Sequence, residues 1–393
     1  MLIQFMLKNV LSFKEETILD MTAVPAYKEH ESNLIACGTK ERFLRVAAVY
    51  GANASGKSNL YFAMRYFRMI VEKSLNNGEE TAIEEYYFPF SFEEDSGNSE
   101  FQIILITGAY EYRYGYEYND TQIAAEWLYR KSLKTNRSST VFERSAEIIC
   151  FGSSVRKECD VYKEQIPSET LVLSFFNKLK LQTDLFKTVY CEIMGMLVVP
   201  TDFCEDRKLL EHLLPMVIDG DKEKLMDFLS AIDTGIKNIE YDDSDRRIEF
   251  TTIHRGKDNK EYELDLYSES EGTIKSILLF IYARTAIRSN RFLFIDELNV
   301  KLHPLLLKFI VDLFYEEDST AQLLYTTHDT TLMDRKFFRR DQIWFVQKDE
   351  YGYSELSALS DFKVRSDASF EKDYLAGVYG GIPFLKEFRV KEG

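Results

Sequence analysis

Cysteine, proline and tryptophan are scarce in this chain, with 5 Cys, 7 Pro and 2 Trp among 393 residues. The cysteines are scattered, their number is odd, and no two stand at C-x-x-C spacing. These features argue against a disulfide scaffold and against a zinc site built from cysteine pairs. We therefore expect reduced thiols and a cytoplasmic location.

Long apolar runs are also missing, since no segment approaches the ~18 uninterrupted apolar residues of a membrane span. The N-terminal stretch MLIQFMLKNVLSF is apolar, but it alternates and lacks the basic region and small-residue cleavage site of a signal peptide. We interpret this stretch as a β-strand, and we expect no membrane partner.

Basic charge is in deficit, with 49 Lys and Arg against 65 Asp and Glu and a formal net charge of -16. Phosphate contacts require clustered Lys and Arg, so a broad nucleic-acid-binding surface is not indicated. The segments KTNRSS near Lys134 and DRKFFRR near Arg339 are candidates for a local basic patch. A solvated face is the simpler interpretation of both.

The clearest motif is GANASGKS at 51–58, which matches G-x-x-x-x-G-K-[ST] at every fixed position. It lies between an apolar run at 44–50 and a segment at 57–74 whose apolar residues recur at helical spacing. The glycines permit a loop whose amides converge on phosphate oxygens, and the helix adds its positive dipole end. Lys57 would reach the β- and γ-phosphates, and the Ser58 hydroxyl would bind Mg²⁺. The predicted nucleotide contacts here are Gly51, Ala52, Asn53, Ala54, Ser55, Gly56, Lys57, Ser58 and Asn59.

A second motif is the buried strand FLFI at 292–295, which is followed by Asp296 and Glu297. Open parallel sheets bind ligands at the carboxyl ends of their strands. Asp296 is suited to hold Mg²⁺, directly or through water, and Glu297 to polarise an attacking water. Two adjacent acids could also simply begin a loop, but the P-loop makes the functional interpretation the stronger one.

Two histidines follow these acids. His328 ends the strand LLYTT and could hydrogen-bond a γ-phosphate or the water beside it, with a capping or core role as the alternative. His303 precedes Pro304, a residue suited to the first turn of a helix. We therefore place His303 near a helix N-cap, where a structural role and a functional one are equally supported.

The wide spacing of the motifs indicates the type of P-loop protein, since more than half of the chain lies between Lys57 and Asp296. Ring-forming AAA+ motors and small GTPases place these motifs far closer. We predict an α/β fold of the ABC/SMC-like head type: a parallel-sheet ATPase core, an antiparallel β subdomain and a helical insertion. The predicted division is an N-terminal lobe at 1–150, a helical insertion at 151–255 and a C-terminal lobe at 256–393.

A third segment, SESEGTIK at 268–275, opens a helix that leads into the acidic strand. A Ser and a Gly at a helix N-terminus form an anion site. Because the phosphates already have a cradle in the P-loop, Ser270 and Gly272 make sense if they face the nucleotide of another subunit.

Several of these segments resemble a known family: KNVLSF at 8–13, GANASGKS, SEGT, DELN-x-x-LHP at 296–304, TTHD and the ending at 365–383. They look like the AAA-domain ATPases of bacterial defence loci, including the RloA and AbiL-type proteins, which are relatives of the OLD, RecF and SMC heads. The resemblance spans essentially the whole chain and thins between about 140 and 255.

The resemblance implies a head-to-tail homodimer with two ATP molecules and Mg²⁺, each ATP lying between one P-loop and the other subunit's Ser270–Gly272. It also implies an ATPase that guards or licenses a partner effector, often a nuclease. Two departures stand out. Asn299 replaces the usual Asp of the loop that crosses the dimer interface, and FPFSF at 88–92 stands where a Q-loop glutamine is expected. Hydrolysis could therefore be slow, with ATP acting more as a clamp.

Two other functions compete with this one. A self-contained nuclease of the OLD type needs a further domain of about 100 residues, and 65 residues follow His328. A DNA clamp or scaffold of RecF or SMC type fits the Asn299 and Q-loop departures. The acidic net charge and the absence of sustained heptads disfavour the clamp.

Overall fold

The computed structural model describes residues 1–75, 80–93, 97–200, 207–232, 234–244, 248–300, 302–316, 319–365 and 368–382. Its strands are β1 (Leu2–Lys8), β2 (Thr17–Asp20), β3 (Leu34–Ala36), β4 (Arg42–Leu44), β5 (Val46–Tyr50), β6 (Ser99–Thr107), β7 (Tyr110–Tyr118), β8 (Ile123–Ser132), β9 (Ser138–Ser145), β10 (Ile148–Phe151), β11 (Leu197–Val199), β12 (Ile236–Asp242), β13 (Glu249–Arg255), β14 (Glu261–Asp265), β15 (Phe292–Ile295), β16 (Gln322–Thr327), β17 (Ile343–Lys348) and β18 (Ser354–Ala358).

Its helices are α1 (Lys57–Lys73), α2 (Ala82–Glu85), α3 (Arg156–Cys159), α4 (Val172–Asn177), α5 (Leu185–Met194), α6 (Arg207–Ala231), α7 (Glu271–Ser289), α8 (Pro304–Glu316) and α9 (Phe370–Leu375). The helix predicted at 57–74 is confirmed as α1, and the helices expected to begin at 268–275 and at Pro304 are confirmed as α7 and α8. Within the described ranges, no helix is both long and apolar enough to cross a membrane.

The core is a six-stranded sheet in the order β11-β15-β16-β5-β17-β18. The first five strands run parallel, and β18 pairs antiparallel with β17. Every residue of β5, β15 and β16 is buried, which explains why these strands appear as continuous apolar runs. The carboxyl ends of β5, β15 and β16 meet at one edge, and this edge carries the motifs.

The second sheet is antiparallel, in the order β10-β9-β8-β7-β6-β1-β2. It confirms the N-terminal strand and the predicted antiparallel β subdomain, and it packs against α1. The alternating tyrosines of β7 face this core: Tyr114 and Tyr116 are fully buried, and the Tyr116 ring stacks on Phe67 of α1 at 5.7 Å. Arg113 on the opposite face of β7 is exposed, so this strand lies between the core and solvent.

The middle of the chain contains the helices α3 to α6, and it also supplies strands that the sequence did not reveal. β11 forms the edge of the core sheet beside β15. β12, β13 and β14 form a separate antiparallel sheet just before α7. These strands gave little signal because β11 has three residues and every residue of β14 is exposed.

The predicted fold class is confirmed: a parallel ATPase core with an antiparallel β subdomain and inserted helices. Two apolar clusters pack on the two faces of the core sheet. Alternate residues of β5 divide between them, with Ala47 and Val49 in one cluster and Val46, Ala48 and Tyr50 in the other. The P-loop therefore begins from a strand that is fixed on both sides.

Candidate functional site

The loop between β5 and α1 has the backbone shape that its glycines were expected to allow. Gly56 has a φ of 115°, and a Cβ there would lie 2.4 Å from the Ser354 hydroxyl. A Cβ at Gly51 would lie 2.5 Å from the carbonyl oxygen of Val346. Neighbouring parts of the chain come so close that both positions require glycine. At Gly56 the left-handed conformation requires it as well. Ala54 also adopts a left-handed conformation, with a φ of 62°.

Two serines that we did not single out as site residues support this loop from outside. Ser354 at the start of β18 donates to the Ser55 carbonyl at 2.7 Å. The Ser354 hydroxyl also bonds to Ser12 at 2.7 Å, and Asn59 of α1 donates to Ser12 at 2.7 Å. Ser12 lies inside KNVLSF, so the resemblance could have indicated it, whereas Ser354 had no local signal.

Lys57 begins α1 and folds back over the loop. Its ammonium group donates to the carbonyl oxygens of Gly51 at 2.7 Å and Ala52 at 2.9 Å. Burial lowers the pKa of Lys57 below its ordinary value, and the nearby carboxylates of Glu297 and Asp296 oppose this shift. The P-loop lysine and the two acids therefore share one electrostatic environment.

The acids are fixed by the neighbouring strand. Thr326 of β16 donates to the buried Asp296 carboxylate at 2.6 Å and accepts the Glu297 amide at 2.7 Å. Glu297 has a φ of 47°, a left-handed conformation that is rare for a non-glycine residue. One hydroxyl thus sets the direction in which both acids leave the sheet. Thr326 was not predicted as a site residue, although it lies within the quoted strand.

His328 is exposed at the end of β16, where its ring contacts the loop after β15. The Asn299 side-chain nitrogen lies 3.0 Å from His328 Nε2, and the Asn299 oxygen accepts from the Thr327 hydroxyl at 2.8 Å. His303 lies at the start of α8, where its carbonyl accepts the Leu306 amide at 2.8 Å. The expected position of His303 near a helix N-cap is therefore confirmed.

A cleft of 330 Å³ lies over the P-loop. It is lined by Asn53, Ala54, Gly56, Lys57, Ser58, Asn59, Glu297 and Lys348. All but Lys348 belong to the predicted set, and Lys348 adds a second lysine from the end of β17. The cleft thus combines helix-start amides, two cations, a hydroxyl and a carboxylate, which is the donor set that a magnesium-bound polyphosphate requires.

A second cavity of 410 Å³ borders the first and shares Asn59 and Lys348 with it. The segment at 88–92, where we looked for a Q-loop glutamine, forms one wall of this cavity. Phe88 stacks on Tyr66 at 5.0 Å, and Phe90 stacks on Tyr353 at 4.5 Å. An aromatic wall beside a phosphate cleft can receive a nucleobase.

Ser270 and Gly272 lie at the start of α7 and are not among the described residues that line the cleft. Ser270 is exposed and caps α7, accepting the Thr273 amide at 3.1 Å. Lys275, one turn later and buried, donates to the Val300 carbonyl at 2.7 Å. The start of α7 is therefore accessible to another molecule and is tied to the loop that carries Glu297 and Asn299.

A metal ion at this edge would have few protein ligands. Among the described residues, no group of three or more His, Cys, Asp or Glu side chains could hold a metal ion. Mg²⁺ typically takes one or two protein ligands and completes its octahedron with phosphate and water oxygens. Ser58 and Asp296 fit that limited role, and they would hold the ion only together with a bound nucleotide.

A parallel sheet with a P-loop after one central strand and two acids after another defines an AAA-type P-loop ATPase fold. The family model described as "AAA domain, putative AbiEii toxin, Type IV TA system" matches residues 46–164 and 182–334. The chain belongs to this family, and the AAA-domain resemblance seen in the sequence is confirmed.

Solved structures with similarity to the chain include two SMC heads. One is the crystal structure of the SmcHead bound to the C-winged helix domain of ScpA, with 15% identity and a TM-score of 0.44; it covers 94% of this chain and 99% of that chain. The other is the SMC head domain from Thermotoga maritima, with 13% identity, a TM-score of 0.42 and coverage of 91% and 98%. No curated protein matches the chain.

Proposed function

We propose that this chain binds ATP with Mg²⁺ in the cleft over the P-loop and hydrolyses it. The observation that carries the proposal is the meeting of Lys57, the Asp296–Glu297 pair and His328 at one edge of one sheet. β5 pairs with β16 so that Tyr50 lies opposite Thr327, and the residues that follow them are Gly51 and His328. The acids follow β15, the next strand along.

Each side chain then has a definite role. Lys57 leaves the carbonyls of Gly51 and Ala52 and binds the β- and γ-phosphates. Ser58 and Asp296 hold Mg²⁺, which neutralises the phosphate charge. Glu297 orients and polarises the attacking water, and His328 donates a hydrogen bond to the γ-phosphate.

The base lies in the aromatic cavity. Because Asn59 and Lys348 border both cavities, a nucleotide with its phosphates on the P-loop amides can extend directly towards Phe88. Aromatic stacking does not distinguish one base from another. We therefore propose ATP over GTP because of the family to which the chain belongs.

We further propose that two copies bind head to tail around two ATP molecules. Ser270 and Gly272 of one copy then complete the P-loop site of the other, since the exposed N-terminus of α7 offers backbone amides to the γ-phosphate. The position of Ser270 outside its own cleft supports this arrangement.

The test of hydrolysis is steady-state turnover of the wild type and of Glu297→Gln. Loss of the water-polarising carboxylate should lower kcat by at least ~10²-fold while ATP binding persists. If both proteins bind ATP and neither hydrolyses it, the site is a clamp. Lys57→Ala is the control for binding, because it should lose affinity for ATP.

The biological role that we propose is a sensor or regulator of a co-encoded effector in defence against phage. The description of the family as a toxin–antitoxin component supports a two-protein system. Co-expression of the chain with the product of its neighbouring gene tests this role. Effector activity should differ between the wild type and Lys57→Ala, and equal activity would refute regulation by nucleotide.

An ATP-gated DNA clamp is the second candidate, favoured by Asn299 in place of the usual Asp. Its signature is DNA binding that appears only with ATP and weakens with rising salt. The net charge of -16 argues against it.

A further inference from the structure

The C-terminal segment 368–382 packs against the edge of the core sheet that carries the P-loop. The rings of Tyr374 and Tyr379 each stack on Phe345 of β17 at 5.3 Å. The Tyr374 ring also lies 6.3 Å from Tyr50, the last residue of β5. All four side chains are almost completely buried. The segment is therefore part of the packed body of the molecule and not an appended tail.

The backbone of this segment continues alongside the P-loop itself. Tyr374 donates its hydroxyl to the Gly381 carbonyl at 3.1 Å. A Cβ at Gly381 would lie 3.5 Å from the Val346 carbonyl and 3.8 Å from the Gly51 Cα. Gly381 thus lies beside the first P-loop glycine, and both Gly380 and Gly381 have a φ of 70°.

The same segment holds the loop that follows His328. The Thr330 hydroxyl donates to the Glu371 carboxylate of α9 at 2.7 Å, in a partly buried bond. Thr330 also accepts the Met333 amide at 2.8 Å, which closes the loop after β16. One short segment therefore contacts both the start of the P-loop and the loop that carries His328.

We propose that the segment 368–382 fixes the spacing between the P-loop and the His328 loop, and that Glu371 and Tyr374 are positioning residues for ATP hydrolysis. The inference rests on the proposed function, because the spacing matters only if a γ-phosphate lies between these loops. Displacements of about 1 Å can reduce a reaction rate by about 10²-fold while binding contacts persist. The bond between Thr330 and Glu371 therefore acts on kcat, while the P-loop amides determine the affinity for ATP.

The experiment compares five variants of the full chain: Thr330→Val, Glu371→Ala, Glu371→Gln, Thr331→Val and the double variant Thr330→Val/Glu371→Ala. Thr330→Val and Glu371→Ala should each lower kcat by about tenfold, with the dissociation constant of ATP changed less than about twofold. Glu371→Gln keeps an oxygen acceptor and should restore turnover. Thr331→Val is the matched control, because Thr331 is exposed and adjacent. The double variant Thr330→Val/Glu371→Ala should be no slower than either single variant.

Any of the following results overturns the inference while leaving the proposed function intact: wild-type turnover in Thr330→Val, failure of Glu371→Gln to restore turnover, or losses that add in the double variant. A kcat that falls only in step with the melting temperature also overturns it, because a merely structural role gives that pattern. A wild-type protein that neither binds nor hydrolyses ATP refutes the proposed function itself, and the inference with it.

Discussion

The side-chain nitrogen of Asn299 lies 3.0 Å from His328 Nε2, and the Asn299 oxygen accepts the Thr327 hydroxyl. An amide nitrogen can only donate, and it lies near both ring nitrogens of His328, 3.0 Å from Nε2 and 3.4 Å from Nδ1. An Asp at this position would present an acceptor instead. Asn299 thus acts first within its own subunit, by orienting the histidine that we assign to the γ-phosphate.

This relationship predicts a non-additive pair of variants. His328→Ala should lower kcat for ATP by about 10²-fold, because it removes a donor to the transferring phosphate. Asn299→Ala should show part of the same loss, since the ring is then unrestrained. The double variant should match His328→Ala in a steady-state ATPase assay. Additive losses would mean that Asn299 acts on something other than His328.

The P-loop glycines predict a steric effect on binding. In Gly56→Ala the new Cβ would lie 2.4 Å from the Ser354 hydroxyl, so the loop must move and its amides leave their phosphate-binding positions. We expect ATP affinity measured by calorimetry to fall beyond detection. Gly97→Ala is the matched control: it also has a positive φ, but nothing lies within 4 Å of its Cβ. The control should lose about 1–2 kcal/mol of stability at most and keep full affinity.

The aromatic cavity predicts that base and phosphate recognition can be separated. Phe88→Ala removes an exposed ring of the cavity wall and should weaken ATP binding by about tenfold, given about 1–3 kcal/mol for a base–aromatic stack. Binding of inorganic tripolyphosphate should be unchanged. Ile148→Ala, also at an exposed apolar residue, is the control. Equal weakening of both ligands would place the base elsewhere.

The exposed cap of α7 predicts a test of the shared site. Asp is as effective a helix N-cap as Ser, so Ser270→Asp should preserve α7. It would also place a negative charge towards the partner's γ-phosphate. Light scattering of Glu297→Gln with ATP should show a dimer, and Ser270→Asp on that background should remain monomeric. Thr81→Asp at the cap of α2 is the matched control. A dimer that persists in Ser270→Asp would contradict the head-to-tail arrangement.

Glu126 predicts an unusual dependence of stability on pH. It is fully buried, and burial raises its pKa from 4.5 to about 7, although its carboxylate accepts the amides of Val172 and Leu173. The folded protein therefore holds this proton more tightly than the unfolded chain. The resulting stability is present at acid pH and is lost as pH rises from 4.5 through about 7.

Glu126→Gln should remove this dependence, although it also loses one backbone bond and is less stable overall. The free energy of unfolding can be measured with urea at about pH 5 and about pH 8. Its change between the two pH values should be smaller in Glu126→Gln than in the wild type, by on the order of 2–3 kcal/mol. The exposed Glu147→Gln should behave like the wild type. An unchanged pH dependence in Glu126→Gln would show that other groups cause it.

The parts of the site that sequence predicted are those whose chemistry is local. Gly51 to Ser58 form one continuous loop, and Asp296 and Glu297 leave one buried strand, so a short window contains the whole signal. His328 was predicted for the same reason. The strands that precede these segments are apolar and pair in one parallel sheet. The segments therefore meet at one edge of that sheet.

The parts that sequence missed are set by contacts between distant residues. Ser354 donates to the Ser55 carbonyl of the P-loop, and Glu371 accepts the Thr330 hydroxyl. The residues next to Ser354 and Glu371 in the sequence give no sign of these distant partners. β11 is too short for a periodicity, and its place in the core depends on pairing with β15. Such contacts follow from the tertiary fold alone.

The order of strands in the core sheet has a consequence for synthesis of the protein. β5 stands between β16 and β17, so both of its hydrogen-bonding partners are translated far later than the P-loop that it supports. In a partly synthesised chain, GANASGKS is present before the strands that pair with β5 on either side. We therefore expect a truncated product that ends before β16 to contain the GANASGKS sequence without the sheet that holds this loop, and to bind nucleotide poorly.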